Sequence, residues 1–242
     1  MFRMNPTPDA RNFLKAFCYF SLGFIFVLLF SINAQTVRAQ TYVSVFGGIN
    51  LYDEADITDK FLVAGVQATA EGSLDTDRGH VVGFTIGKRF DNISVELELS
   101  HRENDLDDFD FDTISALGTT LALNLGNIPL EGTYSSRSAL INAWVDLPMG
   151  NIRPYFGGGL GVTDVNLEID TISGATSNFD ESDTVMAFQF GAGLKFAVSD
   201  NLSLDLGYRF FGADDPVHDD GVEEVELEYQ NHSAILRIIY AL

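Results

Sequence analysis

Carboxylates are the most numerous groups in this chain that could do chemistry. Asp105, Asp107, Asp108, Asp110 and Asp112 fall in one short stretch, and Asp214, Asp215, Asp219, Asp220, Glu223 and Glu224 in another. Clustered carboxylate oxygens can hold calcium or magnesium. An EF-hand also needs a turn glycine and a closing glutamate, and both are missing from residues 104–111 and beyond. A solvated acidic surface is therefore expected, with no metal site. His232 and Ser233, with acids nearby, are the best hydrolytic pair. Neighbours in a strand point to opposite faces, so the two would diverge unless a bulge intervened. His80, His101 and His218 lack a metal-ligand spacing, and neither a Gly-x-Ser-x-Gly elbow nor a phosphate loop occurs. No catalytic residue and no cofactor are expected.

The elements carrying these residues show a strong period of two. In residues 201–211, Leu202, Leu204, Leu206, Tyr208 and Phe210 share one face; Ser203, Asp205, Gly207, Arg209 and Phe211 share the other. Similar stretches are expected at residues 41–50, 79–90, 93–102, 133–147, 152–166, 184–198, 201–211 and a last strand closing at Leu242. Short turns at Asp91-Asn92, Pro148-Met149-Gly150-Asn151 and Ser199-Asp200-Asn201 join three pairs. Long acidic segments, 51–78, 103–132, 167–183 and 212–224, separate them. Within the second, the apolar run 114–125 could extend a hairpin, form a short helix, lie on the membrane, or add two strands to make ten.

The amino terminus has its own pattern. Arg3, Arg11 and Lys15 precede an apolar run, residues 16–32, and Val37-Arg38-Ala39 offers a cleavage site. This predicts a signal peptide at residues 1–39 and a mature domain at 40–242; a membrane anchor is the alternative. Cleavage would remove Cys18, the single cysteine, and with it any thiolate chemistry. It would also take the formal net charge from −21 to −24, which disfavours nucleic acid as a partner.

Eight strands with short turns on one side and long loops on the other imply an all-β, antiparallel, up-and-down transmembrane barrel, whose short turns are expected to face the periplasm and whose long acidic loops are expected to be extracellular. In lipid such a set must close on itself. The faces are assigned by volume. Val82, Phe84, Ile86, Phe90, Ile93, Val95, Leu97, Leu99, Phe188, Phe190, Leu194 and Phe196 would overfill an eight-stranded interior and are placed toward lipid. Gly83, Thr85, Gly87, Gly157, Gly159, Gly161, Ala187, Gln189, Gly191 and Gly193 fit the lumen. That lumen also receives Glu96, Glu98, Asp146 and Asp205 with Arg89, Arg153, Lys195, Arg209 and Arg237. Charges away from water need partners, so a structural ion-pair network is expected there. In the last strand Leu227 and Tyr229 are out of phase with Leu236, Ile238, Tyr240 and Leu242, which predicts either a bulge near Asn231 or a first part that projects beyond the membrane.

Arg153-Pro154-Tyr155-Phe156-Gly157-Gly158-Gly159-Leu160-Gly161-Val162, Leu206-Gly207-Tyr208-Arg209-Phe210-Phe211 and Val95-Glu96-Leu97-Glu98-Leu99-Ser100 resemble strand motifs of the OmpA-like, Opa-related outer-membrane β-barrel family. The resemblance covers essentially the whole mature chain. It implies the outer membrane of a Gram-negative bacterium, insertion by the barrel-assembly machinery, and contact with outer-membrane lipids and lipopolysaccharide. Members of that family usually end in an aromatic residue, whereas this chain ends Tyr240-Ala241-Leu242. The expected role is structural or surface-interacting, as a monomer with a host or surface ligand at its loops. A low-conductance porin, or a barrel enzyme acting on lipid A, is the alternative.

Overall fold

A computed structural model describes residues 39–52, 55–63, 66–117, 119–122, 128–214, 217–219, 224–227 and 229–242. The expected leader, apart from Ala39, lies outside the described residues, as do residues 118 and 123–125 of the apolar run. Among the described residues there are thirteen strands: β1 (Ala39–Tyr52), β2 (Ala55–Val63), β3 (Val66–Thr76), β4 (Gly79–Phe90), β5 (Ile93–Ala116), β6 (Thr119–Ala122), β7 (Ile128–Asp146), β8 (Ile152–Ile172), β9 (Ala175–Ala197), β10 (Leu202–Ala213), β11 (Val217–Asp219), β12 (Glu224–Leu227) and β13 (Tyr229–Ala241). Eight of them form a closed antiparallel ring in the order β1, β4, β5, β7, β8, β9, β10, β13, with β13 pairing back to β1. The other five stand beside the upper part of β5, in the order β11-β12-β2-β3-β5, with β6 also on β5.

The ring closes at eight strands. The apolar run 114–125 ends β5, turns at Leu117 (φ 52°) and begins β6, whose four residues pair only with β5. Two turns that need left-handed backbone supply it, with Asp91 at φ 56° and Gly150 at φ 68°.

The face assignment made by volume is the observed one. Val82, Phe84, Ile93, Leu99, Phe190, Leu194 and Phe196 are exposed on the outside of the ring, whereas Thr85, Glu96, Glu98, Gln189 and Lys195 are buried inside. Phe211 is buried on the inward face it shares with Asp205 and Arg209, and six further rings that volume alone did not place there, Tyr42, Phe46, Tyr134, Trp144, Tyr155 and Tyr229, are also buried. Five large inward side chains sit directly across from glycine on the adjacent strand. The pairs are Tyr42–Gly87, Phe46–Gly83, Trp144–Gly157, Tyr155–Gly193 and Arg209–Gly191. A Cβ at Gly193 would lie 2.7 Å from the Tyr155 ring, and one at Gly157 would lie 2.7 Å from Trp144 Cε3. The missing side chain is the space the ring occupies.

Two expectations are corrected. β13 pairs with β1 and β10 in unbroken register through Asn231, so there is no bulge. Tyr229 instead shares the inward face with Asn231 and Ser233, where its hydroxyl donates to Ser136 Oγ at 2.8 Å and its ring meets Tyr134 and Phe211 edge-on. The third long segment is mostly not a loop. β8 and β9 continue, with one register shift, to a two-residue turn at Ser173 and Gly174, both at positive φ.

A polar belt on the outer wall marks how far this continuation reaches. His101, Arg137, Asp164 and Thr184 are successive cross-strand neighbours, placed above the exposed apolar band that includes Val82, Phe84, Leu99, Leu160 and Phe190. A membrane crossing takes about 9–11 residues, whereas β5, β8 and β9 have 24, 21 and 23. Beyond the belt, β8 and β9 extend roughly 25–30 Å at the usual rise per residue.

Candidate functional site

Inside the ring the chemistry is layered along the barrel axis. Toward the short turns, Glu96 and Asp205 close on Arg237. Arg237 Nη1 donates to both Glu96 oxygens at 3.0 and 3.1 Å, while its Nε and Nη2 reach Asp205 Oδ2 at 2.7 and 2.6 Å. Tyr42 Oη and Trp144 Nε1 donate to the same Glu96, at 2.8 and 2.6 Å. The alternation of β1, β5, β7, β10 and β13 brings these five side chains from five strands to one level. Lys195 Nζ, 2.6 Å from Asp146 Oδ1, forms a second pair and lies 4.5 Å from the Tyr155 ring centre.

One step outward, Glu98 is held by amides. Asn142 Nδ2 and Gln189 Nε2 donate to its Oε2 at 2.9 and 3.1 Å, and Gln189 also donates to Asn142 Oδ1 at 2.7 Å. Arg209 is taken by rings: its guanidinium lies 4.2 Å over Trp144, and Nη1 donates to Tyr155 Oη at 3.0 Å. Arg89 donates to Gln40 Oε1 at the periplasmic mouth, where Arg153 also faces the opening. The nine charged residues expected in the lumen divide among a carboxylate–guanidinium cluster, a lysine–aspartate pair, a carboxylate held by amides, a stacked cation and two arginines at the mouth.

The half of the lumen away from the short turns differs in kind. Leu106, Leu130, Tyr134, Leu140, Val165, Leu167, Ala187, Phe211 and Tyr229 pack as one buried apolar cluster. Arg102, which the expected network omitted, stacks 4.0 Å from the centre of the Phe211 ring and donates to Ser100 Oγ at 3.0 Å. Its position on β5 has the same parity as Glu96 and Glu98, a signal present in the sequence. Between the two halves, Ser233 Oγ donates to Asn50 Oδ1 at 2.6 Å, and Asn50 donates to Asn104.

His232 and Ser233 lie on opposite walls. Ser233 is buried in the lumen, whereas His232 contacts Tyr208 and Phe210 outside. His80 and His101 approach each other edge-on, 6.3 Å between ring centres, and His101 Nε2 is 3.2 Å from Glu103. Among the described residues no group of three or more His, Cys, Asp or Glu side chains could hold a metal. The side chains of Asp110, Asp112, Asp215, Asp219, Asp220, Glu223 and Glu224 lie outside the described residues.

The model of the outer membrane protein beta-barrel domain matches residues 22–236. The chain belongs to that family. It is an integral outer-membrane barrel. Among curated proteins, it is similar to an uncharacterised protein of Brucella abortus, 35% identical over 83 residues, covering 30% of this chain and 28% of that protein. Outer membrane protein PagN of Salmonella typhimurium is 29% identical over 104 residues, 41% of each chain. The chain therefore matches well under half the length of these relatives. Among solved structures, the outer membrane protein OprG of Pseudomonas aeruginosa superposes with a TM-score of 0.47 at 14% identity, over 85% of this chain and 98% of that one.

Proposed function

We propose that this barrel acts through its extracellular strands, as a monomeric structural or surface-interacting protein inserted by the barrel-assembly machinery and surrounded by outer-membrane lipids and lipopolysaccharide. The filled lumen carries this reading. The Glu96–Arg237–Asp205 cluster and the apolar cluster around Tyr134 and Phe211 occupy successive levels of it. An eight-stranded interior has little room beyond its own side chains. What distinguishes the molecule is then displayed outside, on strands that run far beyond the membrane.

The charge of that display points to a basic partner surface. Residues 103–132 carry seven carboxylates and residues 167–181 carry four, with no Lys or Arg in either segment. The test uses the barrel in phosphatidylcholine nanodiscs with a fluorescent lysine-rich peptide as probe. Binding that falls at least tenfold when residues 167–181 are replaced by Asn-Gly supports the reading; equal binding by both proteins removes it. Planar-bilayer recordings address the porin alternative, since discrete, reproducible conductance steps from the purified barrel would favour it over a closed display scaffold.

A further inference from the structure

We propose that the periplasmic mouth of the lumen is a binding pocket for a phosphate-type oxyanion. A cavity of about 250 Å³ opens there, inside the ring of strand ends. That is several times the space of one water. Arg89 reaches it from β4 and Arg153 from β8, which stand three places apart in the ring of eight, so the two guanidinium groups approach from different walls. Arg89 meets the amide oxygen of Gln40, and neither arginine meets a carboxylate among the described residues. This sets them apart from the other two cations on the wall. Lys195 is held by Asp146, and Arg237 by Glu96 and Asp205.

Ser94 supplies an independent sign. It lines the same cavity, is 1% exposed, and its hydroxyl makes no hydrogen bond of good geometry, the nearby Tyr42 phenol being committed to Glu96. A buried hydroxyl left unpaired is costly, and a ligand oxygen in the cavity would satisfy it. Asp200 is the one carboxylate on the wall; it is exposed on the turn at the rim, where water screens it. Two guanidinium groups and a hydroxyl on the wall of one cavity, from three different strands, suit a tetrahedral anion. Phosphate offers enough oxygens for all three, whereas a carboxylate offers two in one plane. The Arg237 cluster closes the inner end, so the pocket holds an anion without passing it on.

The test is equilibrium dialysis of radiolabelled inorganic phosphate against the intact barrel in neutral detergent. The expected result is one saturable site per barrel, weakened at least tenfold in Arg89→Gln/Arg153→Gln and unchanged in Lys88→Gln, a substitution on the outer wall of β4. The heat-dependent electrophoretic mobility of a closed barrel confirms that each variant is folded. Should the double variant fail it, the two single variants carry the same measurement. Absence of saturable uptake, or equal affinity in the arginine variants, overturns the proposal. Repeating the dialysis in nanodiscs separates the sources of the anion. Uptake in both phosphatidylcholine and phosphatidylglycerol discs assigns the pocket to a free ion, and uptake lost only with phosphatidylglycerol assigns it to a lipid headgroup.

Discussion

The two halves of the lumen solve one packing problem with different chemistry. The periplasmic half is filled by charges that satisfy one another: Arg237 between Glu96 and Asp205, Lys195 on Asp146, and Tyr42 and Trp144 donating to Glu96. The extracellular half is filled by Leu130, Tyr134, Val165, Leu167, Phe211 and Tyr229, as a soluble protein would fill its core. The lower half is ringed by lipid, so its apolar residues are committed to the outer wall and polar groups are left to fill the inside. Above the polar belt the outer wall faces water, and the strands can turn apolar residues inward. Tolerance to substitution should therefore differ between the halves, being set by charge balance below and by volume above.

The strongest way to break this contrast is Arg237→Ala. It leaves Glu96 and Asp205 buried without their cation, and truncating one partner of a buried ion cluster typically costs about 3–5 kcal/mol. Reversible urea unfolding in phospholipid vesicles, followed by the emission of Trp144, should show that loss; a change below about 1 kcal/mol would mean the cluster is dispensable. Phe211→Ala tests the upper half. It removes the platform under Arg102 and the edge contact with Tyr229, at a cost of roughly 3 kcal/mol by the same measurement. Phe211→Leu should recover most of that, while no neutral replacement of Arg237 alone should recover its loss.

A smaller effect comes from filling a gap. Gly193→Ala would place a Cβ 2.6 Å from the Leu206 carbonyl oxygen and 2.7 Å from the Tyr155 ring, and overpacking of this kind costs about 1–3 kcal/mol. Combining it with Tyr155→Ala should be less than additive if ring and glycine form one unit. The smallest effect is expected at the far tip of the β8–β9 hairpin. Gly174 has open space around it, so Gly174→Ala should cost only the backbone strain of an L residue at φ 78°, about 1–2 kcal/mol, and leave the electrophoretic mobility shift unchanged.

The sequence made the ring readable because alternation is strongest where one wall meets lipid. The bounds of β4, the turns at Asp91 and Gly150 and the outward set on β4, β5 and β9 all follow from that contrast. It weakens above the membrane, where the outer wall meets water instead of lipid and β5 carries a register shift between Asp105 and Asp108. Residues 103–116 therefore read as an acidic loop although they continue β5. The inward rings were hidden for another reason. Volume alone assigns every bulky residue to lipid, and only the register shows that Trp144 faces Gly157 and Tyr155 faces Gly193. Once strands are paired, glycine opposite an aromatic residue is the recoverable signal. Tyr229 was misjudged because it was compared with lipid-facing residues of β13, when its neighbours in space are Tyr134 and Phe211.

The seam between β1 and β13 has a consequence for the order of folding. Tyr42 pairs with Ala241, so the ring is sealed by the two ends of the described chain. Closing contacts of such long range come late and slowly. Until β13 arrives, the edge of β1 that it will cover stays open, and an unpaired edge can recruit any other extended chain. Synthesis and export of the last strand thus set the earliest moment at which the molecule can protect itself. Weakening the seam, for example by a proline at Ile238 in the middle of its register, should slow assembly and promote aggregation before it alters anything displayed at the surface.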